Sequence, residues 1–356
     1  MTRWLDRGWL GWLWVLFLAS VPLWLGNQYF LHIAISTGIF TIAAMSLNLL
    51  LGFTGQLSLG HVAFFGIGAY TSALLSLGFD VTFFGNRVLV DPIPVWLAFL
   101  AGIVVAGLSG WLIGKVSFKI RGAYFVIVTI SFAEVVRLVA LNWVDLTEGP
   151  MALSNIPPLT LGIPGLVEGV FNRKEPNYYL MLAVGIIAYI IIRRLVHSRI
   201  GRAMIALREN EALATSVGVD VTRYLVLAAV VSAAIAGAAG GLYTHYIRIV
   251  DPDIFLFIYT VTMVIMVITG GKGTLTGPVV GGIIFGIAPE VFREMAGPEL
   301  QWIMYGILMI LIVMFLPEGI VPAINRLWES ATSRAPDGRA GAAAETRTDS
   351  ARRAVQ

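Results

Sequence analysis

Apolar residues run through this chain in long stretches, with polar and charged residues gathered between them. Stretches near 8–26, 31–52, 56–78, 93–114, 122–143, 178–194, 224–247, 254–271, 276–293 and 299–317 stand out. Each is near the length, roughly 20 residues at about 1.5 Å rise, at which a helix crosses about 30 Å of hydrocarbon. The pattern predicts an all-α, polytopic membrane helix bundle of about ten transmembrane helices. Two junctions are tight. Only Phe53-Thr54-Gly55 separates the second and third stretches, and only Gly271-Lys272-Gly273-Thr274 separates the eighth and ninth. Either pair can be a broken or re-entrant helix, which a membrane tolerates where the backbone faces protein or a water-filled cavity.

Composition agrees with the pattern: 58% of residues are hydrophobic and 13% charged, far from the roughly one-quarter charged content of soluble domains. With no cysteine, disulfides, thiolate metal sites and cysteine nucleophiles are excluded.

An even number of spans puts both termini on one side, and the basic residues indicate which. With the termini inside, the inner loops carry Arg3, Arg7, Lys115, Lys119, Arg121, Arg193, Arg194, Arg199, Arg202, Arg208, Arg223 and Lys272, and the chain after the last stretch adds six arginines, Arg326 and five in the tail. The outer loops carry only Arg87, Arg173, Lys174, Arg248 and Arg293. The positive-inside rule therefore places both termini in the cytoplasm. Arg3 and Arg7 ahead of an apolar run could also begin a signal peptide. The run is long for one, and Trp9, Trp12, Trp14 and Trp24 suit interfacial anchoring, so a retained first helix is expected. The resulting organisation is a transmembrane domain over 1–329, with an outer Gly- and Pro-rich loop at 144–177 and a cytoplasmic loop at 195–223. A tail at 330–356 lacks periodicity and is expected to be disordered.

Several polar features interrupt the apolar pattern. The run Ser46–Thr71 places Asn48, Gln56, Ser58, His61, Tyr70 and Thr71 among apolar residues and glycines. Facing lipid would be costly, so these groups either line a solvated path or bond between helices. Glu134 and Arg137 lie inside the fifth stretch at a spacing that lets them pair along one helix face; they either fix packing or serve transport. Small residues recur every fourth position at Gly102, Ala106, Gly110 and Gly114, and again at Ala229, Ala233, Gly237 and Gly241. Such seams allow close backbone approach in lipid, chiefly within one chain. Gly270-Gly271-Lys272-Gly273-Thr274 has phosphate-loop glycines but neither the upstream glycine nor the hydroxyl residue after lysine, so it reads as a turn. Asp251-Pro252-Asp253 also reads as an outer turn. The four histidines lack ligand spacing, and no catalytic, metal or cofactor site is expected.

The loop His197–Tyr224 is too polar to span. Its residues 202–214 favour a short helix across the cytoplasmic face, presenting Arg202, Arg208, Glu209 and Glu211 to water or to a partner.

Taken together, these residues resemble the permease subunits of branched-chain amino-acid ABC importers of the LivM type. Three ordered blocks carry the resemblance, which covers roughly residues 35–320. The first runs from Ser46-Leu47-Asn48 through Gly55-Gln56-Leu57-Ser58-Leu59-Gly60-His61 to Gly66-Ile67-Gly68-Ala69-Tyr70. The second is Arg121-Gly122-Ala123-Tyr124-Phe125, with Glu134, Arg137 and Leu146-Thr147-Glu148-Gly149-Pro150. The third is Ser198-Arg199-Ile200-Gly201-Arg202 with Arg208-Glu209-Asn210-Glu211 and Gly218, ending at Gly270–Thr274.

The resemblance implies a bacterial inner-membrane transport subunit, not an enzyme. Its implied partners are a second homologous permease, two cytoplasmic ATPase subunits and a periplasmic substrate-binding protein. It also implies that the loop holding Gly201, Arg202, Leu207, Arg208, Glu209, Glu211 and Gly218 couples to the ATPases. Leu213 and the position of Gly218 depart from the usual Glu-Ala-Ala…Gly coupling signature. Glu148 and Met151-Ala152 depart from the family's outer segment, so urea, short amides and aromatic acids stand beside branched-chain amino acids as substrates. A secondary transporter or channel using Glu134 is the competing class.

Overall fold

The computed structural model describes residues 18–22, 27–83, 86–118, 120, 122–163, 167–170 and 174–332. Most of the first apolar stretch and nearly all of the tail lie outside the described residues.

From residue 27 onward each apolar stretch becomes helix. They are α1 (Gln28–Asn48), α2 (Val62–Leu77), α3 (Val95–Ser117), α4 (Ala123–Asn142), α5 (Lys174–His197), α8 (Val221–Ile247), α9 (Phe257–Gly270) and α10 (Gly277–Phe315). Between α5 and α8 lie two short helices, α6 (Arg199–Glu209) and α7 (Glu211–Ser216), and α11 (Ile320–Thr332) follows α10. Among the described residues, five segments are long and apolar enough to cross a membrane: Gln28–Thr54, Val95–Ser117, Tyr124–Asn142, Lys174–His197 and Val221–Ile247. The chain is a polytopic helical membrane bundle.

Both tight junctions are breaks. α1 continues as a π-helical turn, Leu49–Thr54, and stops at Gly55 in the left-handed region (φ 75°). The chain then runs without regular helix until Val62, so α2 has only 16 residues. α9 is shorter still, at 14 residues, and begins after a 3-10 turn, Pro252–Phe255. The ninth and tenth stretches are two helices within α10 that part at Gly297 (φ 81°, ψ 170°). Pro298, next in the chain, has no N–H to continue the ladder there.

The centre of the bundle is α8, packed against α3 and α2. Ala228, Ala233, Ala236 and Ala239 are fully buried along it. The two small-residue seams face each other: a Cβ on Gly110 would lie 2.5 Å from the Ala233 Cβ, and one on Gly237 only 2.4 Å from the Ala106 Cβ. Removing side-chain volume lets the backbones approach and gain dispersion contact, the force that joins helices where lipid gives no hydrophobic drive. Apolar side chains on α3 and α4, among them Leu97, Val104, Leu108, Ile127 and Leu138, point outward.

The end of the bundle opposite α6 and α7 carries two antiparallel hairpins, β1 (Phe79–Phe83) with β2 (Asn86–Val90) and β3 (Thr160–Ile163) with β4 (Val167–Val170). The second lies inside the Gly- and Pro-rich loop at 144–177. Strands of four or five residues leave little signal beside twenty-residue spans. An antiparallel bridge between Leu153 and Val250 ties this loop to the end of α8. His245 reinforces it, with Nδ1 2.7 Å from the Pro157 carbonyl and Nε2 2.6 Å from the Ser72 hydroxyl. The carbonyl can only accept, so Nδ1 carries a proton.

Candidate functional site

At the α6–α7 end, Ser198 caps α6 by accepting from the Ile200 and Gly201 amides at 3.1 and 3.3 Å. Gly201 sits so close to the end of α5 that a Cβ would lie 2.1 Å from the Val196 carbonyl oxygen. Met204 and Leu207 are buried, while Arg202 and Glu209 are exposed. The single helix expected over 202–214 is instead two. Asn210 adopts an extended conformation (φ −158°, ψ 102°), and its Oδ1 accepts from the Leu213 amide at 3.0 Å. A side chain that competes for backbone donors ends one helix and caps the next. Glu211 opens α7, and Gly218, left-handed at φ 88°, follows it. The hook thus formed leaves Leu213 and Val217 exposed at 64% and 75%.

Arg208 turns back from the hook. Its Nη1 donates 2.6 Å to the Gly52 carbonyl in the π-helical turn of α1, and its Nε donates 3.1 Å to Glu209. One turn back, Asn48 reaches the opposite way: its Oδ1 accepts from the Gly273 amide at 2.9 Å, and its Nδ2 donates to the Thr274 carbonyl at 2.8 Å. A Cβ on Gly52 would fall 2.0 Å from Asn48 Oδ1 and 2.4 Å from the Gly273 nitrogen. The hook, the end of α1 and the α9–α10 turn therefore share one junction.

A second polar region lies within the bundle around the non-helical segment before α2. The Thr129 hydroxyl accepts from the Leu59 amide at 3.2 Å, and the Thr260 hydroxyl from the Val62 amide at 3.1 Å. Both threonines take up amides that the late start of α2 leaves without helical partners. His61 is fully buried, with Nε2 2.7 Å from the Ser46 hydroxyl. That hydroxyl already gives its proton to the Ala43 carbonyl, so His61 Nε2 is the donor, and Nδ1 is the acceptor of this tautomer. Among the described residues Nδ1 has no partner, nor do the buried Ser58 Oγ and Tyr70 Oη. Tyr70 stacks on Phe255 at 5.6 Å, and Gln56 is half-buried in the break.

The third feature is on the flank of α4. Arg137 Nη1 lies 3.1 Å from Glu134 Oε1, and Nη2 lies 3.3 Å from Asp253 Oδ1. Asp253 belongs to the 3-10 turn that precedes α9.

The polar residues singled out from sequence therefore fall in separate places. Asn48 belongs to the α6–α7 end; Ser58 and His61 are interior; Tyr70 neighbours the turn before α9; Glu134 and Arg137 flank α4. Sequence reasoning missed Thr129, Thr260 and Asp253. The threonines are single hydroxyls in apolar helices and gave no signal. Asp253 was legible as a charge but not as a partner for Arg137, 116 residues away.

These features define a helical membrane bundle with a polar hook at one end, and comparison with known proteins identifies its class. The profile of the family described as the branched-chain amino acid transport system permease component matches residues 29–313. The chain belongs to that family. It is 32% identical over 309 residues to the high-affinity branched-chain amino acid transport system permease protein LivM of Salmonella typhimurium, covering 82% of this chain and 69% of that one. The Escherichia coli K12 LivM protein is 31% identical with the same coverage. The LivH permease of Salmonella typhimurium is 26% identical over 79% of this chain and 91% of that one. These relatives are transport permeases, not enzymes. No solved structure matches the chain.

Proposed function

We propose that this chain is one of two homologous membrane subunits of an ATP-driven importer for branched-chain amino acids in a bacterial inner membrane. The second subunit is LivH-like. A binding protein delivers substrate at the hairpin end, and two ATPase subunits dock at the hook. The bias of basic residues toward the hook end supports a cytoplasmic hook and cytoplasmic termini.

The observation that carries this reading is the Arg208–Gly52 bond. A connector between spans needs no strut into the interior. A lever does. Exposed Leu213 and Val217 give a partner an apolar surface to grip, and Arg208 passes the displacement to the π-helical turn. Asn48 relays it to the α9–α10 turn. π-Helical turns of this kind are frequent at functional sites.

Reconstitution of both permeases, the ATPases and the binding protein in proteoliposomes tests the reading. Leucine uptake should require internal ATP and loaded binding protein. Leu213→Asp should lose the ATPases on purification while leaving the permease pair intact. Uptake driven by a proton gradient without ATPase subunits would refute the reading.

A further inference from the structure

Glu134 and Arg137 sit well inside a membrane-spanning helix, yet the described chain does not cover them. The side chains of Glu134 and Asp253 are 53% and 63% exposed, against 23% for Arg137. Ionised carboxylates do not face hydrocarbon. The apolar residues Val135, Leu138 and Val139 occupy the broad outward face of α4; Glu134 and Arg137 lie to one side of it, beside the turn before α9. The cluster is also under-bonded. Its two ion contacts, 3.1 and 3.3 Å, are longer than the roughly 2.7–2.9 Å of a well-formed charged hydrogen bond. Arg137 Nε has no acceptor among the described residues.

We infer that Glu134, Arg137 and Asp253 form a transit site for the charged groups of a zwitterionic α-amino acid, on the open flank of α4 that lines the pathway. This rests on the importer reading above. The planar guanidinium fork of Arg137 matches a substrate carboxylate. Two carboxylates share that one guanidinium, leaving one negative charge in excess, the complement of a substrate ammonium. When a substrate carboxylate takes the Arg137 edge now held by Asp253, the released Asp253 takes the ammonium. Ionic contacts are exchanged rather than lost, so the site need be neither a barrier nor a trap, as conduction requires. Asp253 lies in the 3-10 turn that links α8 to α9, so the cluster joins two elements distant in sequence.

The absence of cysteine from the chain permits a direct test in the complete importer, with partner subunits whose cysteines have been replaced. A charged, membrane-impermeant thiol reagent should modify Glu134→Cys at least tenfold faster than Val135→Cys, and leucine-loaded binding protein with ATP should slow the first rate only. Glu134→Gln and Asp253→Asn should each lower maximal leucine uptake tenfold or more while binding-protein-stimulated ATP hydrolysis continues. Exchanging the charges, Glu134→Arg with Arg137→Glu, preserves a helix ion pair and should not restore uptake. Equal labelling rates at 134 and 135, or restored uptake in the exchanged protein, would overturn the transit site. Absence of ATP-dependent leucine uptake by the unaltered importer would instead overturn the importer reading.

Discussion

Arg208 donates a 2.6 Å hydrogen bond to the carbonyl of Gly52, 156 residues away in the chain, and so joins a surface hook to the interior end of α1. Gly52 has no room for a side chain, because Asn48 Oδ1 and the Gly273 amide occupy that space. Gly52→Ala should therefore separate α1 from the α9–α10 turn. Expected is a loss of leucine uptake of about tenfold or more, with membrane abundance falling less than twofold. Uptake and abundance measured together check this; normal uptake would mean the junction is passive.

The α3–α8 seam makes a different kind of prediction, on packing alone. Gly237→Ala brings a methyl 2.4 Å from the Ala106 Cβ, closer than any relaxed contact, and overpacking of this sort costs typically 1–3 kcal/mol. Adding Ala106→Gly removes the clashing atom and should recover part of the lost thermal stability in detergent. Gly68→Ala meets the Gly237 backbone instead, at 2.4 Å from its Cα, and Ala106→Gly should not rescue it. Equal rescue of both would show that the seam does not pack as described.

The ion cluster on α4 ranks its own variants. Arg137 has two carboxylate neighbours, so Glu134→Ala leaves it paired with Asp253, whereas Arg137→Ala leaves two carboxylates together without a counter-charge. Arg137→Ala should lower membrane abundance more than Glu134→Ala, and adding Glu134→Ala to it should recover part of the loss. Additive losses would speak against the three groups acting as one unit.

Much of this architecture was legible in the sequence because the membrane imposes one dominant length on apolar runs. Every stretch from 31 to 317 became helix, and the two junctions with too few linking residues are breaks. The matching seams of α3 and α8 were visible as spacing, though not as partners for each other. What escaped depended on contacts distant in sequence. Nothing near Arg208 announces Gly52, and nothing near Arg137 announces Asp253. Asn210 split the expected cytoplasmic helix through a local cap that helix-forming composition outweighed on paper. The hairpins were missed because short strands over polar loops carry no span-length pattern.

Orientation can be checked independently of transport. A reporter fused after Gln356 should be active only in the cytoplasm, and one inserted at Gly165 only on the outer face. Both reporters on one side would contradict the ten-span topology and the cytoplasmic hook proposed above.

The central claim is that the hook transmits the ATPase cycle through Arg208. Its most direct test is the number of leucine molecules taken up per ATP hydrolysed by the reconstituted importer, before and after Arg208→Gln. The account predicts continued ATP hydrolysis with leucine uptake reduced at least tenfold, so that the ratio collapses while the ATPases remain bound. A ratio unchanged by Arg208→Gln would contradict it.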